Sequence, residues 1–218
     1  MIVTVIAGGP DINPQIVHDI ASDSEMIICA DSGADVAIKA GLRIDKLLGD
    51  LDSISAEAKE YISGNDIPVE VFPVQKDMTD TELALRQLDK SDEIRLIVSL
   101  AGRPDHMIVN IMLLIKLKDE GYDITLTDGV SDVIPLIGPD KISVEGLDPN
   151  TGLNISLIPV DFGEEVKGVS SEGLFYELKD ADLHAGSTYS VSNSLKEGCD
   201  SFEVTVKSGK MALIITPL

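Results

Sequence analysis

Tryptophan is absent from this chain, and aromatic residues make up only 4% of its 218 residues. Aliphatic side chains must therefore fill whatever core it forms, and an apolar fraction of 44% is enough to supply one. Cysteine is nearly absent as well. Cys29 and Cys199 are too few and too far apart for a disulfide framework or a zinc set. Cys29 sits inside an apolar run and reads as a small buried hydrophobe. Basic residues are scarce: 17 against 38 acidic ones, a formal net charge of −21. Such a surface repels nucleic acid and anionic membranes, which excludes both as partners. No apolar run approaches the ~18 residues of a membrane span. Met1–Ala7 is apolar but short, with no basic leader and no cleavage site. The expectation is a soluble, cytoplasmic protein.

What is present is an alternation. Ile2–Ala7, Met26–Ala30, Lys46–Leu48, Val69–Phe72, Ile94–Leu100 and Ile124–Thr127 read as short buried strands. Pro14–Ala21, Gly33–Ala40, Ala56–Ile62, Asp80–Leu88 and Pro104–Lys118 read as the helices between them. Strand–helix alternation at this spacing predicts crossovers and a mainly parallel sheet. After about Gly138-Pro139 the helical period disappears. Leu153–Leu157, Phe202–Val206 and Met211–Ile215 alternate apolar and polar residues, and Ser208-Gly209 between the last two predicts a hairpin. The fold class expected is α/β: an N-terminal mainly parallel sheet with flanking helices over residues 1–138, then a C-terminal antiparallel β-sandwich over residues 139–218.

Ligands of such sheets bind beyond the carboxyl ends of the strands. Gly8-Gly9, Asp31-Ser32-Gly33, Gly49–Ser53 and Ala101–Asp105 all fall at such ends. In the stretch Lys46–Ser53, an apolar run delivers Asp50 and Asp52 onto a glycine-loosened turn. If that turn is extended, both carboxylates point one way and Leu51 points to the core. They would then repel unless a cation joined them. The plainer reading is a solvated loop, with Ser53 or Ser55 capping the next helix. In Lys76–Glu82, Thr79 and Glu82 form a capping box, which accounts for them structurally but leaves Lys76, Asp77 and Asp80 unexplained. Asp31 ends a strand and Gly33 opens a helix. That is either a capped turn or a backbone cradle for a nucleotide, without the Gly-Lys-Ser/Thr of a Walker loop. Pro104 suits a first helical position. The helix behind it is apolar almost all round, which predicts that it is buried. His106 and Asn110 share one of its faces, and Arg103 at the sheet edge can meet phosphate.

Charge decides how so acidic an edge can tolerate phosphate. Two unit charges about 4 Å apart interact by about 4 kcal/mol at an effective dielectric of about 20. Several aspartates facing a polyphosphate would oppose binding by several times that. Mg²⁺ between them reverses the sign, and Mg²⁺ takes one or two protein carboxylates, waters and phosphate oxygens. Asp31, Asp50, Asp52, Asp77 and Asp80 cannot all ligate one ion.

These segments, Ala30–Ala34, Leu48–Ser53, Lys76–Glu82 and Gly102–His106 with Asn110, resemble thiamine pyrophosphokinase in order and approximate spacing. Ile155–Pro159 and Gly186–Asn193 resemble it in the second domain. The resemblance implies transfer of the diphosphoryl group of ATP to the hydroxyl of thiamine, with Mg²⁺ as cofactor. It also implies a homodimer with sites between subunits. On this sequence it implies that Asp50, Asp52 and Asp80 are metal and catalytic acids. Lys76 and Arg103 would neutralise charge on the transferred group. Asp31, Ser32, Gly33 and Asp77 would lie near the nucleotide. Asp105, Tyr189, Ser192 and Asn193 would lie near thiamine, the last two reaching across the dimer. Ser32 and Ala101 stand where the family usually has glycine, and Tyr189 where many bacterial members have arginine. The alternatives are a related diphosphokinase acting on a hydroxymethylpterin and a non-catalytic sensor of nucleotide or thiamine diphosphate.

Overall fold

The computed structural model describes residues 1–10, 12–49, 51–73, 75 and 77–218. Asp50 and Lys76, both expected in the site, lie outside the described residues. The chain divides into two compact units, Met1–Leu113 with Gly121–Gly129, and Leu114–Glu120 with Val130–Leu218.

The first unit holds strands β1 (Ile2–Ala7), β2 (Met26–Ala30), β3 (Lys46–Gly49), β4 (Val69–Val71), β5 (Glu93–Ile97) and β6 (Asp123–Thr127). They lie in the order β4-β3-β2-β1-β5-β6, and every neighbouring pair is parallel. Helices α1 (Pro14–Ala21), α2 (Gly33–Lys39), α3 (Ala56–Gly64), α4 (Asp80–Leu85) and α5 (Pro104–Asp119) follow β1, β2, β3, β4 and β5. β1 is central, and its residues from Val3 onward are buried, as a strand covered on both faces requires. Its one polar side chain, Thr4, meets the Ser24 hydroxyl at 2.7 Å. At the edge, β4 leaves Val69 and Val71 exposed.

The caps follow the sequence. Ser55 accepts from the Ala58 N–H and Thr79 from the Glu82 N–H, satisfying donors that a helix start leaves open. Ala34 and Ala37 of α2 are fully buried against Ile6, Cys29 and Leu47. Their small side chains let the helix approach the sheet closely. Burial pushes the Cys29 thiol well above its ordinary pKa, so it stays a neutral hydrophobe. Some expectations change. Residues 98–100, expected to extend β5, leave the strand after Ile97, and α4 ends at Leu85 rather than Leu88. The first turns of α5 are not buried all round: Ile108, Val109 and Met112 are more than half exposed. Apolar residues on every face name no buried side, and here only part of the helix surface is covered.

The second unit is antiparallel. β13 (Lys210–Pro217) lies between β7 (Asp132–Ile137) and β9 (Leu153–Pro159). A separate four-stranded sheet runs in the order β11 (Ala181–Leu183), β10 (Val166–Glu172), β12 (Phe202–Val206), β8 (Asp140–Val144). Alternate residues of both sets share one core, with Leu157, Met211 and Leu213 from the first and Val169, Phe202 and Val204 from the second. The expected hairpin is corrected. β12 pairs with β8 and β10, whereas β13 pairs with β7 and β9. The Ser208-Gly209 turn passes the chain from one sheet to the other. It is tied down by the Lys167 N–H to the Ser208 carbonyl at 2.9 Å and the Gly138 N–H to the Gly209 carbonyl at 2.9 Å. Alternation marks which face of a strand is buried and leaves its partner open. No helix among the described residues is long and apolar enough to cross a membrane.

Candidate active site

In the first unit the strand order reverses between β1 and β5: β2 continues on one side, β6 on the other. Open parallel sheets hold ligands at such a point, beyond the carboxyl ends. A cleft of about 840 Å³ opens there. The tail of β1 supplies Gly8 and Gly9, and the end of β2 supplies Asp31 and Ser32. Asp52 and Ser53 come from the loop after β3, and Asp80 from the start of α4. Arg103, Asp105, His106 and Asn110 come from the β5–α5 junction.

Local backbone chemistry sets these side chains. Asp31 has a left-handed φ of 46°, and its N–H donates to the Leu48 carbonyl at 2.9 Å. Its carboxylate lies on Gly49, where a Cβ would stand 1.7 Å from Oδ1. Gly49 has φ of 145°, so glycine is required there twice over. The turn beyond is not extended: Leu51 has φ of 63°, a left-handed conformation that is uncommon for a bulky residue. The period-2 argument for Asp50 and Asp52 therefore does not apply. Leu51 nevertheless packs on the core cluster, and Asp52 is exposed on the cleft wall.

Asp80 is half-buried at the first position of α4, where the helix dipole favours a carboxylate. Arg103 donates from Nε to Asp105 Oδ1 at 3.2 Å and from a terminal nitrogen to Oδ2. This pairing raises the guanidinium pKa and holds the Asp105 carboxyl below its ordinary range. The two residues expected at phosphate and at acceptor are thus paired with each other. Gly33 does not line the cleft. A Cβ there would stand 1.9 Å from the Ile6 carbonyl oxygen, so it serves the packing of α2 on β1. Asp77 is exposed and does not line the cleft. His106 and Asn110, which share a helix face and belong to the resembling motif but carry no expected role, both do, with Asn110 buried. Ser99 was missed. Its hydroxyl accepts the Ala101 N–H at 3.1 Å and fixes the loop that leads to Arg103.

Among the described residues no three His, Cys, Asp or Glu converge as a metal cage. Asp52 and Asp80 do share the cleft. Two carboxylates, with water and phosphate oxygens completing the shell, suit Mg²⁺ and not a dedicated protein cage.

The second unit carries its own pocket, of about 550 Å³, lined by Tyr176, Tyr189, Ser192 and Asn193 among others. Residues 190–193 are strapped to the edge of β9. The Ser190 hydroxyl donates to the Leu157 carbonyl at 2.6 Å, the Ser192 N–H to Ser156 Oγ at 3.0 Å, and the Asn193 N–H to the Ile155 carbonyl at 2.9 Å. Ser192 has φ of 59°. Opposite, Phe175 and Tyr176 meet edge to face with ring centroids 4.8 Å apart. Sequence reasoning missed this pair. Its signal was available: it is the only adjacent aromatic pair among four Tyr and four Phe.

Two family models match the chain: "Thiamin pyrophosphokinase, catalytic domain" over residues 17–126 and "Thiamin pyrophosphokinase, vitamin B1 binding domain" over residues 141–211. Thiamine pyrophosphokinase of Bacillus subtilis (strain 168) is 31% identical over 198 residues, covering 88% of this chain and 89% of that protein. The crystal structure of thiamine pyrophosphokinase from Bacillus subtilis superposes with a TM-score of 0.84 at 27% identity, covering 100% of this chain and 99% of that one. That from Geobacillus thermodenitrificans gives 0.81 at 27% identity, covering 99% and 97%.

Proposed function

The chain belongs to the thiamin pyrophosphokinase family, and from that premise we propose that it moves the diphosphoryl group of ATP onto the hydroxyl of thiamine. The observation that carries this reading is the cleft at the strand-order reversal. Acidic Asp31, Asp52 and Asp80 share it with Arg103, the only lysine or arginine among its described lining residues. The hydroxyl oxygen attacks the β-phosphorus in line and its proton is released to water, the bond from the β-phosphorus to the oxygen bridging it to the α-phosphate breaks, and AMP departs with that oxygen. Such a transfer needs positioning and charge neutralisation more than a strong base.

Asp52 and Asp80, with Asp50, would hold Mg²⁺, which when bound neutralises the triphosphate's charge. Asp31 and Ser32 sit where the nucleotide enters, and Gly33 and Asp77 act at its margin, Gly33 by placing α2. Arg103 exchanges its contact with Asp105 for phosphate oxygens, which frees Asp105 towards the acceptor; Lys76 adds a second cation. Tyr189, Ser192 and Asn193 belong to the acceptor pocket. The protein acts as a cytoplasmic homodimer, the partner copy completing the acceptor site. The exposed apolar face of Ile108, Val109 and Met112 supports an oligomer.

The test is incubation with ATP, Mg²⁺ and either thiamine or a hydroxymethylpterin. AMP and thiamine diphosphate are expected. A diphosphorylated pterin would reassign the acceptor, and no AMP above the blank would leave a sensor. Arg103→Ala is expected to lower kcat/KM for ATP by about 10- to 100-fold, the worth of a hydrogen bond to a charged group, with Arg103→Lys between it and the parent. Steady-state kinetics at saturating thiamine decide it. An unchanged kcat/KM removes Arg103 from phosphate binding.

A further inference from the structure

We propose that Asn193 is a positioning residue, whose side chain holds Tyr176 as the ring against which the acceptor stacks. The inference rests on the reading of the second-unit pocket as the acceptor site.

The Asn193 carboxamide is already committed within the fold. Its Oδ1 accepts the Tyr176 N–H at 3.0 Å and the Ser194 N–H at 2.9 Å, and its Nδ2 donates to the Tyr176 carbonyl at 2.9 Å. Both lone-pair directions of the oxygen are used, and one N–H remains. A single side chain thus binds both backbone groups of Tyr176, as a neighbouring strand would. The same residue's backbone exchanges two hydrogen bonds with Ile155, at 2.8 and 2.9 Å. Asn193 therefore ties the edge of β9 to the aromatic segment. Flanking bonds finish the tie: the Phe175 N–H donates to the Ser194 carbonyl at 2.8 Å and the Lys196 N–H to the Gly173 carbonyl at 2.9 Å.

What is held is an aromatic wall. Phe175 supports Tyr176 edge-on, at 89° between rings, and Tyr176 and Tyr189 are each 69% exposed in the same pocket. Exposed aromatic faces suit a flat cationic heterocycle, through stacking and cation–π attraction. Asparagine committed to the backbone has little left for direct recognition. Tyr176 stands on the pocket wall with its backbone fixed.

A double-mutant cycle on the full chain tests this, with thiamine affinity measured by calorimetry. Asn193→Ala and Tyr176→Ala are each expected to weaken thiamine binding about tenfold, and the double variant to be no weaker than Tyr176→Ala, because effects through one shared partner do not add. The KM for ATP should stay unchanged. A double variant about 100-fold weaker overturns the proposal, since multiplied losses mean that Asn193 touches the ligand itself. Amide hydrogen exchange gives a second reading that needs no ligand. The Tyr176 N–H should exchange at least about tenfold faster in Asn193→Ala, and stay protected in Asn193→Asp, which keeps the accepting oxygen. Unchanged exchange in Asn193→Ala overturns the tie. Asn193→Asp also serves if the alanine variant does not fold: it should bind thiamine more weakly through loss of the bond to the Tyr176 carbonyl, and unaltered affinity counts against the proposal. If the parent protein binds no thiamine while Tyr176 exchange still responds, the acceptor reading fails and the tie stands.

Discussion

Asp52→Asn is expected to lower turnover by about two to three orders of magnitude, the usual scale for removing one preorganised electrostatic contact from a transition state. The melting temperature should move by no more than about 2 °C, since exposed substitutions outside the core cost little. Asp52 is exposed on the cleft wall, whereas its neighbour Leu51 carries the packing on the core. Asparagine keeps the shape and removes the charge. The sign can be checked without catalysis. Deleting a carboxylate should weaken nucleotide binding with Mg²⁺ present and strengthen it when the ion is chelated, because the bare triphosphate then meets one fewer negative charge. Asp80→Asn should repeat the pattern with an added stability loss of about 0.3–1 kcal/mol, since the helix start loses a favourable charge. Normal turnover in a normally folded Asp52→Asn protein would end the assignment of Asp52 to the reacting phosphates.

The sequence reveals elements better than it reveals partners. Strands such as Ile2–Ala7 and Met26–Ala30 are legible end to end because a strand covered on both faces is a continuous apolar run bounded by turn residues. The caps at Ser55 and Thr79 are legible because the bond lies within three residues. The place of the cleft is legible too, since parallel topology gathers strand ends on one edge. Pairing is not local. Phe202–Val206 and Met211–Ile215 look like a hairpin and belong to opposite sheets, because the core between them satisfies both alternations equally. Backbone conformation is also hidden. The left-handed Leu51 has no composition cue, and it decides how Asp52 is presented. The tie from Asn193 to Tyr176 spans 17 residues of sequence and comes into view only once the β9 edge brings the two segments together.

Gly33→Ala is expected to destabilise the protein by about 2 kcal/mol or more, against the ordinary trend. Alanine in place of a helical glycine normally stabilises by up to about 1 kcal/mol, since glycine has more backbone entropy to lose. Gly33 is the first residue of α2, and its backbone is open to an L side chain. The space is not. The added Cβ would lie 1.9 Å from the Ile6 carbonyl oxygen and 2.7 Å from its carbon. These are backbone atoms of a central strand, so no rotamer change relieves the contact. Overpacking of this kind costs about 1–3 kcal/mol and sometimes more, which outweighs the entropic gain. Gly64→Ala is the control. Gly64 is also helical, as the last residue of α3, but a Cβ there meets nothing within 4 Å, so the change should be neutral or stabilising. Urea denaturation of both variants measures the difference, and equal shifts would refute the close approach of α2 to β1. The consequence reaches the cleft, because Gly8 and Ser32 flank that contact and both line it. Pushing α2 away from β1 should therefore weaken nucleotide binding in the fraction that still folds, which makes Gly33 a residue that shapes the site from behind its wall.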